Sequence, residues 1–485
     1  MKKMVCFVIT IISICLITSC NKLVKIESLS YIIENDILKN GTVFLYESKT
    51  NNISFEIEPL DATLLDFEII VEDENVVKIN KIESTKIVIM GLKEGDTNIM
   101  VKAKKGDVSK TIPVKVKKNI NNNYYSLGLN QLDLVFKDFR YSEKSYSFKT
   151  YNPQDSSQGS TYSGSAALWG YGAILTAVSE AAIIDPYNST TKERSLGIVE
   201  GLEAYRMPRD KRYYTSNQFY GGEPYYDDNA WIVLGLLYLG KAYNNEEYYQ
   251  MSREILDYVL SGESPDGGIY WKESVVSRNV CSTGPGIVGA LLHYQHKKED
   301  DLLNTAKRLY EWCKKTLMDP VDKVYWDNIY PDENGVEKIN TTKWTYNSGT
   351  MIWAATLLYE ITGEEKYLDD AKNTALGALS YFYTKNKDGR YYYPASPWFN
   401  LYLLRGYYEL ARVVGDGSYD YLVKTFKSNM DIAIVTSIVS PYGYIHPNWG
   451  GGLSDKSDTF FDVLDIAATS EVLMLIGDFQ INLEK

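Results

Sequence analysis

The chain has 485 residues, with 51 Lys and Arg against 63 Asp and Glu, for a formal charge of -12 at pH 7. That length admits two or more domains and a large core. The acidic balance excludes nucleic acid and an anionic membrane surface as partners, while leaving a neutral polymer such as a glycan open. Tyrosine is abundant at 41 residues, and its ring and hydroxyl suit carbohydrate contact and helix packing equally.

Lys2 and Lys3 precede an apolar run, Val5 to Ile17, that is too short for a comfortable membrane span. Residues 1–20 therefore read as a signal segment outside the fold. The segment ends Leu16-Ile17-Thr18-Ser19-Cys20, which resembles a bacterial lipobox. The resemblance implies that Cys20 is the lipidated N-terminus after cleavage, and Asn21 in place of Asp implies an outer-membrane anchor. On this reading the protein sits in the cell envelope and meets the membrane through its lipid alone. Once Cys6 and Cys15 leave with the signal, Cys281 and Cys313 remain, too few for a disulfide framework. They are expected as buried thiols, with a single bridge as the alternative.

From 24 to 118 the pattern has period two. Residues 54–58, 98–102 and 110–116 alternate apolar and polar, and turn signals recur at Asn40-Gly41, Pro59-Leu60-Asp61, Glu94-Gly95-Asp96 and Lys105-Gly106-Asp107. Several short strands in under a hundred residues predict a small β-sandwich. The pieces at 58–63, 75–79 and 91–97 resemble the bacterial Ig-like group 2 domain. Nothing here points to catalysis, so the segment is expected to act as a spacer. Asn119 to Asn123 is polar and Asn-rich, and reads as a linker.

Beyond residue 124 the period turns helical. Leu129, Leu132, Val135, Phe136 and Phe139 share one face. Helices are then expected at 166–183, 195–205, 228–242, 246–260, 285–296, 300–313, 350–362, 365–379, 398–412, 419–433 and 462–476, making twelve in all. The segments at 228–242, 285–296, 350–362 and 398–412 are apolar nearly all round. Each is followed by a short polar turn and then an amphipathic helix. An inner helix, a tight turn and an outer helix, repeated about six times, predict an (α/α)6 barrel. Tight turns fall at one end of such a ring, and the longer links fall at the other, where they can line a cleft.

One of those links carries Gly221-Gly222-Glu223-Pro224-Tyr225-Tyr226-Asp227-Asp228-Asn229-Ala230-Trp231. Two adjacent carboxylates between aromatic rings suit glycosidic chemistry, which needs a carboxylic acid and a carboxylate on either side of one bond. Asp at a helix start is also an ordinary cap. Side chains diverging from neighbouring positions bring two carboxyls within about 5–9 Å, so adjacency allows either a retaining or an inverting reaction. The two roles need opposite protonation states at one pH. The candidate sugar platforms are Trp169, Tyr226, Trp231, Trp271, Trp344, Tyr346, Trp398 and Trp449. Tyr226, Trp271 and Tyr346 are favoured because they fall in expected links. Asn229 and Asn347 are candidates for bonds to sugar hydroxyls.

Residues 124–476 resemble glycoside hydrolase family 76, the endo-α-1,6-mannanases. The core of the match is Tyr226-Asp227-Asp228-Asn229-Ala230-Trp231, supported by Ala167-Leu168-Trp169-Gly170-Tyr171, Gly267-Gly268-Ile269-Tyr270-Trp271 and Trp344-Thr345-Tyr346-Asn347-Ser348-Gly349-Thr350. Leu404-Arg405-Gly406 and Asp465-Ile466-Ala467-Ala468 follow in order. This chain differs from the family in having Ser348 and Thr283 where Gln and Asn are often found. The resemblance implies retention, with Asp227 as nucleophile and Asp228 as acid and then base. It also implies α-1,6-mannan, such as fungal cell-wall mannan, as substrate, with other glycan-handling surface proteins as candidate partners.

No cofactor or metal is expected. His293 and His296 share one helix and His446 lies far away, leaving no third ligand. Two alternative functions are a glycan-capturing surface lipoprotein without catalysis and a different (α/α)6 carbohydrate-active enzyme. The latter would call for paired histidines or a cationic cleft.

Overall fold

The computed structural model describes residues 24–483 apart from 34–40, 48, 60–61, 63–64, 106, 118–122, 154–163, 211–212, 220, 388, 395 and 451–459. The signal segment, Cys20 and most of the expected linker lie outside the described residues. The chain divides into two compact units, Met1–Asn121 and Asn122–Lys485.

The first unit contains two four-stranded sheets. One runs in the order β1 (Ser28–Ile33), β3 (Thr50–Glu58), β6 (Lys86–Gly91), β5 (Val77–Glu83). The other runs β2 (Val43–Tyr46), β8 (Ser109–Lys117), β7 (Gly95–Ala103), β4 (Phe67–Val71). Alternation decides which side chains go inward. On β7, Thr97, Ile99, Val101 and Ala103 are buried while Asp96, Asn98, Met100 and Lys102 are not. Ile53, Ile87 and Ile89 from one sheet join Ile99, Val101 and Val114 from the other in one apolar core.

The second unit is helical. Twelve α-helices fall among the described residues: α1 (Asn123–Asp138), α2 (Leu168–Ile184), α3 (Ser189–Gly201), α4 (Tyr226–Tyr243), α5 (Glu246–Ser261), α6 (Val280–His296), α7 (Asp300–Leu317), α8 (Thr345–Thr362), α9 (Glu365–Phe382), α10 (Pro397–Val414), α11 (Asp420–Thr436) and α12 (Val463–Asn482). The even-numbered helices pack each on the next, α2 on α4 through α10 on α12, and α12 returns to α2. That closes an inner ring. The odd-numbered helices lie against it, with α1 on α12.

Sequence explains the division. Inner α12 buries residues on every face, among them Ile466, Ala467, Ala468, Thr469 and Ser470. Outer α7 buries only Leu302, Ala306, Leu309, Tyr310, Cys313 and Leu317, a single stripe. Inner helices end in left-handed residues, Asn244 after α4, Gly363 after α8 and Gly415 after α10, so two to five residues suffice to turn into the next outer helix. The return links are far longer, such as 202–225, 262–279 and 318–344.

Two features differ from expectation. Helices α6 and α8 begin at Val280 and Thr345, five residues earlier than the apolar pattern predicts, which brings Tyr346 and Asn347 into a first helical turn. Tyr226 likewise opens α4 rather than lying in a link. The 318–344 link also contains a hairpin, β9 (Trp326–Pro331) and β10 (Glu337–Lys343), that was not anticipated. Its turn, Asn334-Gly335, was a legible signal, with Gly335 at φ +76°.

Candidate active site

Four successive inner helices present the second residue of their first turn to one another: Trp169 on α2, Asp227 on α4, Cys281 on α6 and Tyr346 on α8. Phe399, third residue of α10, joins them. Asp227 meets Cys281, Tyr346 stacks on Phe399 at 4.2 Å, and Phe399 faces Trp169 at 6.2 Å. Five helix N-termini therefore converge on one mouth of the ring. Their unpaired N–H groups and aligned dipoles favour negative charge there.

The Asp pair occupies that mouth, and its two members differ. Asp227 Oδ1 accepts the backbone N–H of Asp228 at 2.9 Å. Its Oδ2 accepts Trp271 Nε1–H at 2.9 Å and the Cys281 thiol at 3.5 Å. Among the described residues no donor reaches the Asp228 carboxylate, and neither carboxylate pairs with a Lys or Arg. Burial pushes Asp227 up to about 6, against the pull of those three donors. Asp228 is held well above the carboxylate range by burial first and by the Asp227 charge second. Desolvation without donors keeps a carboxyl protonated, and desolvation with donors lets it ionise.

Trp271 is fixed by its backbone. Its N–H bonds Ser277 O at 2.9 Å, and its carbonyl accepts the Tyr226 N–H at 3.0 Å. Lys272 lies over the Tyr225 and Trp271 rings and pairs with Glu223, which also accepts Ser274 Oγ–H at 3.0 Å. The tight turn before it needs Gly267 and Gly268 at φ +90° and +76°, where any Cβ would strike Trp312.

The other expected contacts fall into two groups. Trp271 and Trp344 are exposed by 37% and 40%, and Tyr346 is partly open, so these rings remain available to a ligand. Tyr226, Asn229, Trp231 and Asn347 are not, which corrects their reading as substrate contacts. Tyr226 is stacked on Tyr258, which stacks on Tyr213. Asn229 is fully buried. Its amide donates to Tyr214 O and Tyr225 O, and its oxygen accepts Tyr214 N–H, so it clips the preceding link to the start of α4. Trp231 lies in the core against Tyr402 and Trp398, and Trp398 and Trp449 are buried too. Asn347 is buried and donates to Asp327 Oδ1 at 3.2 Å. Helix phase and depth are the cause: Tyr226 and Asn229 are turned about 100° and about 200° from Asp227, Asn347 is turned about 100° from Tyr346, and Trp231 shares the Asp227 face one turn deeper in the ring.

Asp327, Phe399 and Cys281 were missed as site residues. Asp327 on β9 accepts from Asn347 and Asn340, and burial raises its carboxyl. Phe399 directly follows Trp398, the candidate platform that is itself buried. Cys281 and Cys313 are both free and buried. Ser348 and Thr283 brace the links: Ser348 Oγ accepts Tyr325 N–H at 3.1 Å, and Thr283 Oγ1 accepts Ile269 N–H at 2.9 Å. Among the described residues no cluster of three or more His, Cys, Asp or Glu is placed to hold a metal ion.

The family model for glycosyl hydrolase family 76 matches residues 140–441. Solved structures of the same fold include a family 76 glycoside hydrolase from a bovine Bacteroides thetaiotaomicron strain, at TM-score 0.67 and 21% identity, covering 94% of this chain and 100% of that one. A family 76 mannosidase of Bacteroides thetaiotaomicron aligns at TM-score 0.66 and 22% identity, covering 74% and 98%. An α-1,6-mannanase of Salegentibacter sp. HEL1_6 aligns at TM-score 0.61 and 22% identity, covering 73% and 99%. It was solved with α-1,6-mannotriose as an inactive variant with consecutive Asp-to-Asn substitutions. The sequence matches no protein of curated function.

Proposed function

The chain belongs to glycosyl hydrolase family 76 and is a glycoside hydrolase, and from that premise we propose that it cleaves α-1,6-mannan with retention, using Asp227 as nucleophile and Asp228 as acid and base. The observation that carries this reading is the asymmetry of the pair. Three donors stabilise the ionised form of Asp227, whereas none among the described residues reaches Asp228, whose carboxyl burial pushes toward the protonated form. Asp228 gives its proton to the leaving glycosidic oxygen as Asp227 bonds the anomeric carbon. Asp228 then takes a proton from the water that releases the sugar. The Salegentibacter mannanase, inactivated at consecutive aspartates and bound to an α-1,6-linked oligosaccharide, supports both the substrate class and the pair.

Trp271, Trp344 and Tyr346 offer ring faces for sugars, and Asp327, held from behind by buried Asn347 and by Asn340, is a polar group near them. Lipidation at Cys20 tethers the enzyme to the cell envelope, where its polymer arrives from outside. Incubation of purified protein with unbranched α-1,6-mannan should release oligosaccharides. Asp227→Asn and Asp228→Asn should each lower kcat by ~10³-fold or more with the fold intact. Binding without release by the unmodified protein would favour the capture reading, and near-normal turnover by either variant would sink the assignment.

A further inference from the structure

We infer that Cys281 is a positioning residue of the nucleophile: its thiol donates to Asp227 Oδ2 and sets the pH at which hydrolysis switches on. This rests on the role proposed for Asp227. The geometry has three parts. Cys281 opens α6 at the same step at which Asp227 opens α4, and adjacent packing of these two helices brings Sγ to 3.5 Å from Oδ2. Trp271 Nε1–H reaches the same oxygen, so Oδ2 carries two side-chain donors and Oδ1 the backbone one. Tyr346, in the matching position of α8, interacts electrostatically with the thiol. The thiol has one proton to give, and the Asp227 Oδ2 acceptor lies 3.5 Å away.

The titratable groups facing Asp227 are Asp228 on its own helix, Cys281 from α6 and Tyr346 from α8. Asp327 on β9 acts on the latter two. All of these are neutral or anionic, so donors rather than cations hold the Asp227 charge. Burial keeps the Cys281 thiol well above its ordinary range, which makes it a hydrogen-bond donor and not a nucleophile at neutral pH.

Cys281→Ala removes one of three donors to the ionised form. The acidic limb of its kcat/KM profile should move up by ~0.5–1 pH unit, an ~3–10-fold loss on that limb that closes near neutrality. Cys281→Ser, which keeps a donor, should hold the limb at or below its original position. Cys313→Ala, the other buried thiol, should leave it unmoved. An unshifted limb in Cys281→Ala would overturn the inference. So would an equal loss at every pH that Ser does not restore, since that marks packing alone. Should the unmodified protein release nothing from α-1,6-mannan, the proposed reaction fails but the thiol remains testable. Carbon-13 titration of the Asp227 carboxyl, assigned by difference from Asp227→Asn, should show the same upward shift in Cys281→Ala, and its absence would refute the contact.

Discussion

At the scale of the residue, the active pair works against stability. Both carboxyls have folded-state pKa values above their ordinary values, chiefly through burial. The folded state then holds protons that the unfolded chain has already released. The pair's own contribution to stability is therefore most favourable below the ordinary carboxylate value of 3.8 and falls as pH rises toward the folded value of about 6 for Asp227. Asp228→Asn removes the larger part of this penalty. Its midpoint of thermal unfolding should rise by a few degrees at about pH 7 and match the parent at about pH 4. An equal shift at both pH values in calorimetry would refute the linkage. The aromatic residues allow a second test. Trp344 is open to solvent and Trp231 is walled in by Tyr402, Trp398 and Tyr346. Trp344→Ala should raise KM several-fold, by roughly 3–10-fold, with an unchanged melting point. Trp231→Ala should cost about 3–5 kcal/mol in denaturant unfolding.

At the scale of the element, the inner ring depends on a few unusual contacts. Gly349 on α8 and Gly406 on α10 mark a close crossing: a Cβ on Gly349 would lie 2.3 Å from Tyr402 O, and one on Gly406 2.5 Å from Gly349 O. Arg405, next to that crossing, is buried with Glu180 of α2 at 2.7 Å and Glu471 of α12 at 3.1 Å. The Leu404-Arg405-Gly406 motif thus ties three inner helices and stands apart from the chemistry. Removing the guanidinium leaves two buried carboxylates facing each other. Arg405→Ala should destabilise the helical unit by about 3–5 kcal/mol, measured by chemical denaturation. Glu180→Gln should cost less, because one partner stays. Arg405 also borders a cavity of about 280 Å³ lined by the later halves of all six inner helices, opposite in helix direction to the Asp pair.

At the scale of the whole molecule, two units each have a core of their own. Residues 124–485 expressed alone should fold and cut a soluble oligosaccharide with an unchanged kcat/KM, and a loss beyond about threefold would show that the first unit aids chemistry. Parallel inner helices explain why the site lies where it does, since one ring end collects N-termini and long links while the other collects carbonyls and tight turns. Much of this was legible in the linear chain. Period-two alternation gave the strands, all-round apolar segments gave the inner helices, and Asp227-Asp228 stood out because a carboxylate pair and a Gly-Gly break are local features. Local patterns suffice there because side-chain direction within one element follows from its own periodicity. Which aromatic faces the opening did not follow. Tyr226, Asn229 and Trp231 lie within five residues of the pair yet are buried: Tyr226 and Asn229 are turned about 100° and about 200° from Asp227, while Trp231 shares its face one turn deeper, against residues of neighbouring helices. Cys281 reaches Asp227 from 54 positions away, and Asp327 reaches Asn347 from 20. Their roles exist only once the ring closes, and only the tertiary structure decides them.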